Sequence, residues 1–594
     1  MDYQMQQSLP ALFFGVARLK GNTPFLWEKR EDHYTSLSWQ DVERQVRDLA
    51  NGLCLEGIKP GDRVALVAEN SPRWVIAHLG IMACGAVSVP TYTTNEVNDH
   101  RHVFNDSGCR AVIVSSAALA RNVISAAQQE KNVEFVIAME DLKDEYPRIL
   151  SWQAVLEAGA GQNVDRSADI VAKLKRNHLA LLIYTSGTGG LPKGVMLSHG
   201  AILHNCEGAE DAIFPIRDKG EEVFLSFLPL SHSYEHMAGL FFPIAIGAQI
   251  YYAQSAETLM QNMQEVHPTI MCAVPRLFEA MHLRIVQGLR KVPVWRQKLF
   301  YSAVKLGRKR IERKLSWFEY PFDWMLTLLV RAKVRQRFGG RIKALISGGA
   351  ALNPETGLFF QALGINVLQG YGQTESAPLI SVNRPSNIKM YTVGPPVKNT
   401  EVKIAEDGEI LVRGELLMQG YWNRPQQTAE VIIDGWLHTG DIGCLDAEGA
   451  IQIIDRKKDV IVLSGGETLS PAKIQGVLTM QPEIEQAMVV GNGEAYLSAL
   501  IVPNLEWLKT WAKDEEATLS KFRESEALQK ALTEAINKAN VQLAQYERVR
   551  KILVAAEYFT ISNELMTPSM KIRRHKILEI YGDSLSSLYK SRSK

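Results

Sequence analysis

Short β-rich runs alternate with helix-length stretches along most of this chain, and this alternation constrains the fold more than any other feature. RVALVAEN, CRAVIVSS and EFVIAME begin at residues 63, 109 and 134, and the helix-length stretch SPRWVIAHLGIMACG follows the first run. Strands separated by helices pair in parallel, because each helix carries the chain back across the sheet. The pattern therefore predicts an α/β fold with layered, mostly parallel sheets.

The sequence pattern changes near residue 401, where we predict a smaller mixed sheet. Closely spaced strands follow there, with hairpin turns at EDGE and AEGA. A long charged helical region after residue 505 then leads to one more strand, KILVAAEYF. We place the domain boundary near Asp455. A large N-terminal domain of layered α/β subdomains covers residues 1–455, and a smaller, mobile α+β domain covers residues 456–594.

Charge and cysteine content exclude several classes of protein. The 66 basic and 65 acidic residues leave a net charge of +1, so no global positive field holds a nucleic acid. The six cysteines are far apart and never form a CxxC pair, which argues against a disulfide framework or a thiolate zinc site. We expect a reducing compartment and no nucleic-acid partner.

The sequence predicts neither a secretion signal nor a membrane-spanning segment. Asp2 stands where a signal peptide carries Lys or Arg, and the first apolar run ends at Arg18. The apolar stretch at residues 237–253 includes Pro243 and Gln249 and is shorter than the ~20 residues that a spanning helix needs. We expect a buried helix, turn and strand there, and a cytoplasmic location.

The strongest local motif is YTSGTGGLPKGVMLSHG, residues 184–200, which follows the apolar run LALLI. Its glycines and hydroxyl groups expose backbone N–H and O–H donors that suit a polyphosphate. A Walker loop is disfavoured because Pro192 precedes Lys193 and Gly194 follows it, where that motif needs Gly and Ser or Thr. The motif therefore predicts a phosphate-binding loop of another kind.

YTSGTGGLPKG resembles the phosphate-binding signature of the adenylate-forming enzymes, which include acyl-CoA synthetases, firefly-type luciferases and peptide-synthetase adenylation domains. Further motifs of that family follow in order: LSFLPLSHSYEH, VPRLFEAM, LISGGAAL, LQGYGQTES, GWLHTGDIG, DRKKDVIVLSGGETLSP and TPSMKIRR. FLPLSH, VPRLFE, SGGAAL and GYGQTE, with VPTYTTN, most resemble the long-chain fatty acid–CoA ligases. Gly189 and Gln475 depart from the commoner Thr and Glu, but neither removes a group that the chemistry needs.

The resemblance implies that ATP binds through several of these motifs. The β- and γ-phosphates would contact Lys193 and a loop set that comprises Thr185, Ser186, Gly187, Thr188 and Gly189. Thr188 and Glu375 would hold Mg²⁺ through oxygen atoms. Adenine and ribose would contact a second set: Gly348, Gly349, Ala350, Ala351, Gln369, Gly370, Tyr371, Gly372, Thr374, Asp441 and Arg456. Tyr371 offers a ring to stack on the base, and Asp441 a carboxylate for the ribose hydroxyls.

The resemblance also implies residues for the acyl and CoA steps. His232 and Gly349 would line the acyl site, although His232 is equally compatible with a core histidine. Lys571 would bridge the carboxylate and the α-phosphate, so that Lys571, Lys193, Thr188 and Glu375 form the catalytic set. Lys458 would be the hinge, unless it is a solvated turn lysine. Gly465 and Gly466 would line the pantetheine path.

One segment lies outside the family motifs. In residues 296–324, Phe300, Val304, Ile311, Leu315 and Phe318 recur at helical spacing, and residues 305–314 contain six basic residues and one acidic residue. A basic amphipathic helix with aromatic residues suits peripheral contact with the inner face of a membrane, through residues 305–324. A surface helix packed on its own domain explains the pattern equally well.

The resemblance implies an AMP-forming ligase that uses ATP, Mg²⁺ and coenzyme A. It would activate a long-chain fatty acid as acyl-AMP, release pyrophosphate and transfer the acyl group to coenzyme A. Three alternatives remain open: an acyl-AMP ligase that delivers to a carrier-protein thiol, an aryl or medium-chain CoA ligase, and a non-catalytic lipid-binding scaffold. The joint presence of Lys193, Glu375, Asp441, Arg456 and Lys571 argues against the scaffold.

Overall fold

The large N-terminal domain contains two eight-stranded sheets in the computed structural model, which describes residues 2–142, 148–185, 191–217, 221–560, 562–566 and 572–590. The first sheet has the strand order Leu379–Val382, Val367–Gly372, Ala344–Ser347, Ile270–Ala273, Val223–Ser226, Gln249–Tyr252, Pro24–Arg30 and His33–Ser38. The six inner strands are parallel, and each edge strand is antiparallel to its neighbour. The carboxyl ends of the inner strands therefore share one edge.

The second sheet contains the phosphate-loop motif and the three β-rich runs recognised first in the sequence. Its strand order is Gly420–Tyr421, Lys193–Ser198, Leu179–Thr185, Val87–Pro90, Arg63–Val67, Ala111–Val114, Phe135–Ala138 and Ile149–Ser151. Lys193–Ser198 is antiparallel to both of its neighbours, Gly420–Tyr421 and Leu179–Thr185, and the remaining pairs are parallel. The predicted parallel pairing is confirmed, and the continuously apolar runs are explained because both faces of these strands are buried.

Helices cover both sheets and separate them. Pro72–Ala83 is almost entirely buried, which explains its apolar sequence, and its first turn is capped by Ser71. The α-helices of this domain are Leu9–Lys20, Trp39–Leu55, Pro72–Ala83, Val97–Ser107, Ala117–Ala127, Trp152–Ala160, Arg166–Lys173, His199–Ile213, Ser233–Glu235, Phe242–Ile246, Leu259–Val266, Pro275–Arg290, Val294–Ile311, Tyr320–Leu326, Ala332–Arg337, Pro354–Ala362 and Pro425–Val431. Short 3₁₀ or π helices are Phe214–Ile216, His236–Phe241, Trp317–Glu319, Thr327–Arg331 and Thr374–Ser376.

The apolar stretch at residues 237–253 forms the predicted buried helix, turn and strand. The π-helix His236–Phe241 continues into Phe242–Ile246, and Gly247 turns the chain into the strand Gln249–Tyr252. Within the described part of the chain, no helix combines the length and the apolar character that crossing a membrane requires.

A third sheet, built of hairpins, completes the large domain. It has the strand order Glu401–Ile404, Glu409–Arg413, Trp436–Leu445 and Ile432–Ile433, with Ile451–Arg456 paired to Trp436–Leu445. The pairs are antiparallel, and EDGE and AEGA lie in the two predicted turns. This part of the prediction is confirmed.

The C-terminal domain has a hydrophobic core of its own, which extends in sequence from Ile461 to Leu585. A two-stranded ribbon, Ile461–Val462 with Thr468–Leu469, precedes a three-stranded sheet of Ile484–Val490, Leu497–Pro503 and Val549–Val554. Its helices are Pro471–Leu478, Leu505–Ala512, Leu519–Phe522, Glu526–Asn540, Gln545–Glu547 (3₁₀) and Arg574–Ser587. The predicted long helical region is divided into separate helices, because Lys513 takes a left-handed conformation (φ 55°) that ends the first.

The basic segment is shorter as a helix than its periodicity predicts. Val294–Ile311 buries Phe300, Ala303, Leu306 and Gly307 against the domain, and the helix ends before Arg313, where φ is 57°. Phe318 lies beyond that turn and is 65% exposed, so it does not continue the apolar stripe of the helix. The helical spacing of apolar residues in the sequence continues beyond Ile311, where the helix ends.

Candidate functional site

The family motifs converge because they follow neighbouring parallel strands. Val223–Ser226, Ile270–Ala273, Ala344–Ser347 and Val367–Gly372 lie in the first sheet, and each leads into one of the predicted motifs. In open α/β sheets, ligands bind in the crevice outside the carboxyl ends of the strands. The candidate site therefore lies at this edge.

The phosphate-loop motif joins two antiparallel strands whose ends are held by one helix. Thr185 pairs with Lys193 across the hairpin. The helix Val97–Ser107 supplies both anchors: Asp106 Oδ2 accepts a 2.8 Å hydrogen bond from Tyr184 Oη, and His102 Nε2 donates to the Pro192 carbonyl at 2.7 Å. Four predicted phosphate ligands lie outside the described residues: Ser186, Gly187, Thr188 and Gly189.

Lys193 and Glu375 are brought together by a tyrosine that the sequence analysis missed. Lys193 Nζ lies 4.7 Å from the centroid of the Tyr421 ring. The same tyrosine donates a 2.8 Å hydrogen bond from its hydroxyl to Glu375 Oε1. Tyr421 belongs to GYWNRP. This glycine followed by two aromatic residues is the feature of the sequence that could have identified it as a site residue. The two predicted catalytic groups thus share one contact residue.

The carboxylate of Glu375 fits a magnesium ligand. Its residue is half-buried in the 3₁₀ helix Thr374–Ser376, and Tyr421 is the donor that contacts its Oε1 atom. A carboxylate accepts further bonds on both oxygens. Because Mg²⁺ is usually held by one or two carboxylates together with substrate phosphates, these residues suit the ion. The second predicted ligand, Thr188, lies outside the described residues.

One hydrogen-bonded group is formed by Tyr371, Asp441 and Arg456. The sequence predicts that all three contact the nucleotide, and their proximity agrees with that prediction. Tyr371 donates from its hydroxyl to Asp441 Oδ2 at 2.6 Å, and Arg456 Nε lies 2.9 Å from Asp441 Oδ1. Asp441 and Arg456 are paired across adjacent strands. Burial, and then the Asp441 carboxylate, raises the pKa of Tyr371 well above its ordinary value. Tyr371 is therefore a neutral donor that orients Asp441.

The glycine pair after strand Ala344–Ser347 is explained by close packing. A Cβ atom at Gly348 would lie 2.9 Å from the Tyr234 ring, whose hydroxyl donates to the Ile346 carbonyl at 2.9 Å. Gly349 has a φ of 80°, which favours glycine. Gly349, Ala350 and Ala351 are exposed. This backbone therefore remains open to a ligand while Gly348 is fixed against the core.

The remaining predicted residues of LQGYGQTES have structural contacts. Gln369 Nε2 donates to the Met390 carbonyl at 2.8 Å, so its side chain is held within the fold. A Cβ atom at Gly372 would lie 1.7 Å from the Pro378 carbonyl oxygen, which explains the glycine; Gly370 lies two residues earlier on the same strand. Thr374 Oγ1 lies 2.9 Å from Ser233 Oγ. This last contact joins the motif to the predicted acyl-site segment.

The segment around His232 contains an unexpected buried acid. His232 is half-buried and its Nδ1 accepts a hydrogen bond from the backbone of Tyr234 at 3.2 Å. Glu235 lies in the core, and Ser226 Oγ is 2.7 Å from its Oε1 atom. Burial raises the pKa of Glu235 to about 8, so this carboxyl group is protonated at neutral pH.

The predicted hinge and pantetheine-path residues of the C-terminal domain lie in exposed segments. Lys458 is exposed in the turn after strand Ile451–Arg456. Gly465 and Gly466 are also exposed, and their loop bonds to Glu494 of the same domain through Ser464. Gly465 and Gly466 therefore lie in an exposed loop that is held to its own domain. Lys571 lies outside the described residues.

Comparison with known proteins identifies the family. The AMP-binding enzyme family matches residues 13–422, and the AMP-binding enzyme C-terminal domain family matches residues 458–593. The chain belongs to the AMP-binding enzyme family, as its motifs predicted.

Relatives and solved structures agree with this assignment. Long-chain-fatty-acid–CoA ligase FadD15 of Mycobacterium bovis is 30% identical, covering 94% of this chain and 92% of its own. Long-chain-fatty-acid–CoA ligase 6 of Mus musculus is 30% identical, covering 99% and 87%. The adenylation domain of a carboxylate reductase from Mycobacterium chelonae has a TM-score of 0.75 at 22% identity, covering 98% and 91%. An anthranilate CoA ligase complexed with anthranoyl-AMP has a TM-score of 0.75 at 19% identity, covering 99% and 100%. The predicted adenylate-forming fold is confirmed.

Proposed function

We propose that this protein is a long-chain fatty acid–CoA ligase. It converts a long-chain fatty acid and ATP into acyl-AMP and pyrophosphate, and then transfers the acyl group to coenzyme A with release of AMP. The names of the relatives support the substrate class. The observation that carries the chemistry is the meeting of Lys193 and Glu375 at Tyr421, beside the phosphate loop.

The first step joins two anions, so charge neutralisation and positioning supply its catalysis. Lys193 would contact the β- and γ-phosphates, and Glu375 with Thr188 would hold Mg²⁺. When bound, Mg²⁺ supplies positive charge to the phosphate oxygens. Asp441, oriented by Tyr371 and Arg456, accepts hydrogen bonds from the ribose hydroxyls, and Lys571 neutralises the reacting carboxylate and the α-phosphate.

The two steps use two faces of the C-terminal domain. We place the boundary near Asp455 and the hinge at Lys458, which is exposed in a turn between the two cores. After adenylate formation, rotation at this hinge removes Lys571 and brings Gly465 and Gly466 to the pantetheine path. The contacts between the domains include the half-exposed ion pair of Arg276 with Glu485 at 3.4 Å, and a pair of this kind opposes movement only weakly.

Two assays test the reaction. Exchange of labelled pyrophosphate into ATP should require a fatty acid, and AMP release should require CoA as well. Activity should rise with acyl chain length, because each buried CH₂ contributes about 0.8 kcal/mol. Pyrophosphate exchange without acylation of CoA would identify a ligase for a carrier-protein thiol. A preference for benzoates would identify an aryl ligase. No exchange with any acid would contradict the proposal.

We also propose peripheral contact with a membrane, through the segment 305–324. The supporting observation is a run of exposed aromatic residues that follows the basic helix: Trp317, Phe318, Tyr320, Phe322 and Trp324 are 84%, 65%, 58%, 43% and 67% exposed. Large exposed apolar groups mark interaction sites, and Trp and Tyr are favoured at the membrane interface. Leu328 and Leu329 extend this exposed apolar surface.

Charge favours an anionic bilayer as the partner. Residues 294–337 contain twelve basic and three acidic residues. Arg308, Lys309 and Arg310 form ion pairs with Glu355, Glu319 and Asp323, so these three cations also support the fold. Lys298, Lys305 and Arg313 are exposed and lie on the same helix or just beyond it. They are therefore the better choice for testing contact with lipid.

Vesicle sedimentation tests this contact. Trp317→Ser with Trp324→Ser should weaken binding to phosphatidylcholine–phosphatidylglycerol vesicles at least tenfold, because a buried aromatic side chain contributes about 1.5–3 kcal/mol. Replacing Lys298, Lys305 and Arg313 with Gln should remove only the salt-sensitive part of the free energy of vesicle binding, about 1 kcal/mol per charge. Tyr391→Ser, at a residue 62% exposed elsewhere, is the control. Unchanged sedimentation of the tryptophan variant, or a change in its oligomeric state alone, would contradict membrane contact.

A further inference from the structure

We infer that Tyr421 is a positioning residue for both Lys193 and Glu375. This inference rests on the proposed function, because it concerns how the phosphate and magnesium groups are held before ATP binds. Tyr421 is 7% exposed, so its ring has little freedom. One side chain therefore sets the position of a cation through its ring and of a carboxylate through its hydroxyl.

The backbone holds Tyr421 between the two groups. Its short strand is antiparallel to the strand that begins with Lys193, and Tyr421 pairs with Val195. Just before this strand, the Met418 N–H donates to the Glu375 carbonyl at 2.9 Å. The segment 418–421 therefore contacts both the phosphate-loop strand and the 3₁₀ helix that contains Glu375. Tyr421 needs no movement to contact both side chains.

Trp422 and the residues after it anchor this segment at its other end. Trp422 Nε1 donates to the Asp106 carbonyl at 3.0 Å, and Arg424 forms a 2.8 Å ion pair with the Asp106 carboxylate. Asp106 also accepts from Tyr184, at the first end of the phosphate loop. The loop and the segment that contains Tyr421 are thus fixed to the same residue.

The two contacts of Tyr421 differ in kind, and each leaves its partner available. The Tyr421 hydroxyl donates to Oε1 of Glu375. Its bond occupies one acceptor site on Oε1 and does not use Oε2. The ring attracts the Lys193 ammonium without neutralising it. Both charges therefore remain available, the carboxylate for a cation and the ammonium for phosphate.

Two substitutions separate these contacts. Tyr421→Phe keeps the ring and removes the hydroxyl, so it should raise the Mg²⁺ concentration for half-maximal pyrophosphate exchange about five- to tenfold, with kcat at saturating Mg²⁺ within about twofold. Tyr421→Leu removes the ring as well and should also raise KM for ATP. Tyr3→Phe is the matched control, because Tyr3 donates to the Glu210 carboxylate at 2.5 Å in another part of the fold.

Equilibrium binding gives a readout that does not depend on turnover. Binding of Mn²⁺ together with ATP, followed by electron paramagnetic resonance without fatty acid, should weaken in Tyr421→Phe and not in Tyr3→Phe. In combination with Glu375→Asp, the effects on Mn²⁺ affinity should be non-additive, because both changes act through one contact. Additive effects, or wild-type Mg²⁺ and Mn²⁺ dependence in Tyr421→Phe, would overturn the inference.

The design separates this inference from the proposed function. If the wild-type protein lacks carboxylate-dependent exchange, the proposed function fails; if the wild type is active and Tyr421→Phe matches it, only the role of Tyr421 fails. Thermal unfolding shows whether each variant is folded. If Tyr421→Phe does not fold, Glu375→Gln is measured instead, with Tyr421 retained. This variant should bind Mn²⁺ with ATP more weakly than Tyr3→Phe does. Equal binding of the two variants would overturn the inference.

Discussion

The carboxyl group of Glu235 lies in the core, and burial raises its pKa to about 8. In the unfolded chain the pKa is near 4.5, so the folded state holds more protons between these values. Stability from this group is therefore fully present below pH 4.5 and is lost as pH rises through 8, by about 1.4 kcal/mol per pH unit. Ser226 Oγ, at 2.7 Å from Oε1, does not offset the burial.

Glu235→Gln should remove this pH dependence, because glutamine has a similar shape and does not ionise. The melting temperature of the variant relative to wild type should rise between pH 5.5 and pH 7.5. Differential scanning calorimetry at three pH values measures it, and Glu515→Gln, at an exposed residue, is the control. A constant difference across this range would show that Glu235 is ionised in the folded protein.

At the scale of single elements, the turn after strand Ala344–Ser347 depends on close contact with the segment that follows His232. Gly348 lies against the ring of Tyr234, and Ser233 contacts Thr374. The three motifs LSFLPLSHSYEH, LISGGAAL and LQGYGQTES therefore pack on one another. A change of backbone position at Gly348 is transmitted to both neighbours, because the packed core cannot absorb it.

Gly348→Ala should impair the site more than the fold. The added Cβ would lie 2.9 Å from the Tyr234 ring, so the loop or the ring must shift. We expect KM for ATP to rise about tenfold, since small displacements in a positioning loop are costly. Gly288→Ala, in the helix Pro275–Arg290 with no atom within 4 Å, is the control and should leave KM unchanged. Wild-type kinetics in Gly348→Ala would refute this role of the turn.

For the whole molecule, the main question is whether the two domains divide the two steps. Each domain has its own core, and Arg276–Glu485 and Asn353–Gly476 are among the contacts between them. The first pair is half-exposed, so it contributes only about 0–1 kcal/mol. Rotation at the proposed hinge, Lys458, would therefore break this ion pair at little cost in stability.

Two variants should affect opposite half-reactions. Lys571→Ala should slow acyl-AMP formation by at least ~10²-fold and still convert supplied acyl-AMP and CoA to the thioester. Lys458→Pro should form acyl-AMP but slow the thioester step, because proline restricts φ at the hinge. Each half-reaction is measured on each variant with purified acyl-AMP. Equal loss of both steps in folded Lys571→Ala would contradict the division between domain faces.

The sequence by itself determined the order of strands and helices and the family motifs. Continuous apolar runs such as those at residues 63, 109 and 134 predict buried parallel strands because the signal is local and repeated along each run. The hairpins at EDGE and AEGA were predictable for the same reason. Motifs at strand ends then meet without further information, because the carboxyl ends of parallel strands share one edge.

Only the tertiary structure decided which distant side chains meet and which remain in water. Tyr421 lies in a two-residue strand, too short to show periodicity, and its contact with Glu375 depends on how a hairpin edge folds against another sheet. Phe318 fits a helical stripe in sequence, yet the turn at Arg313 exposes it. The raised pKa of Glu235 comes from burial by residues distant in sequence. Periodicity reports only the local backbone, whereas exposure and charge state are set by the packing of the whole chain.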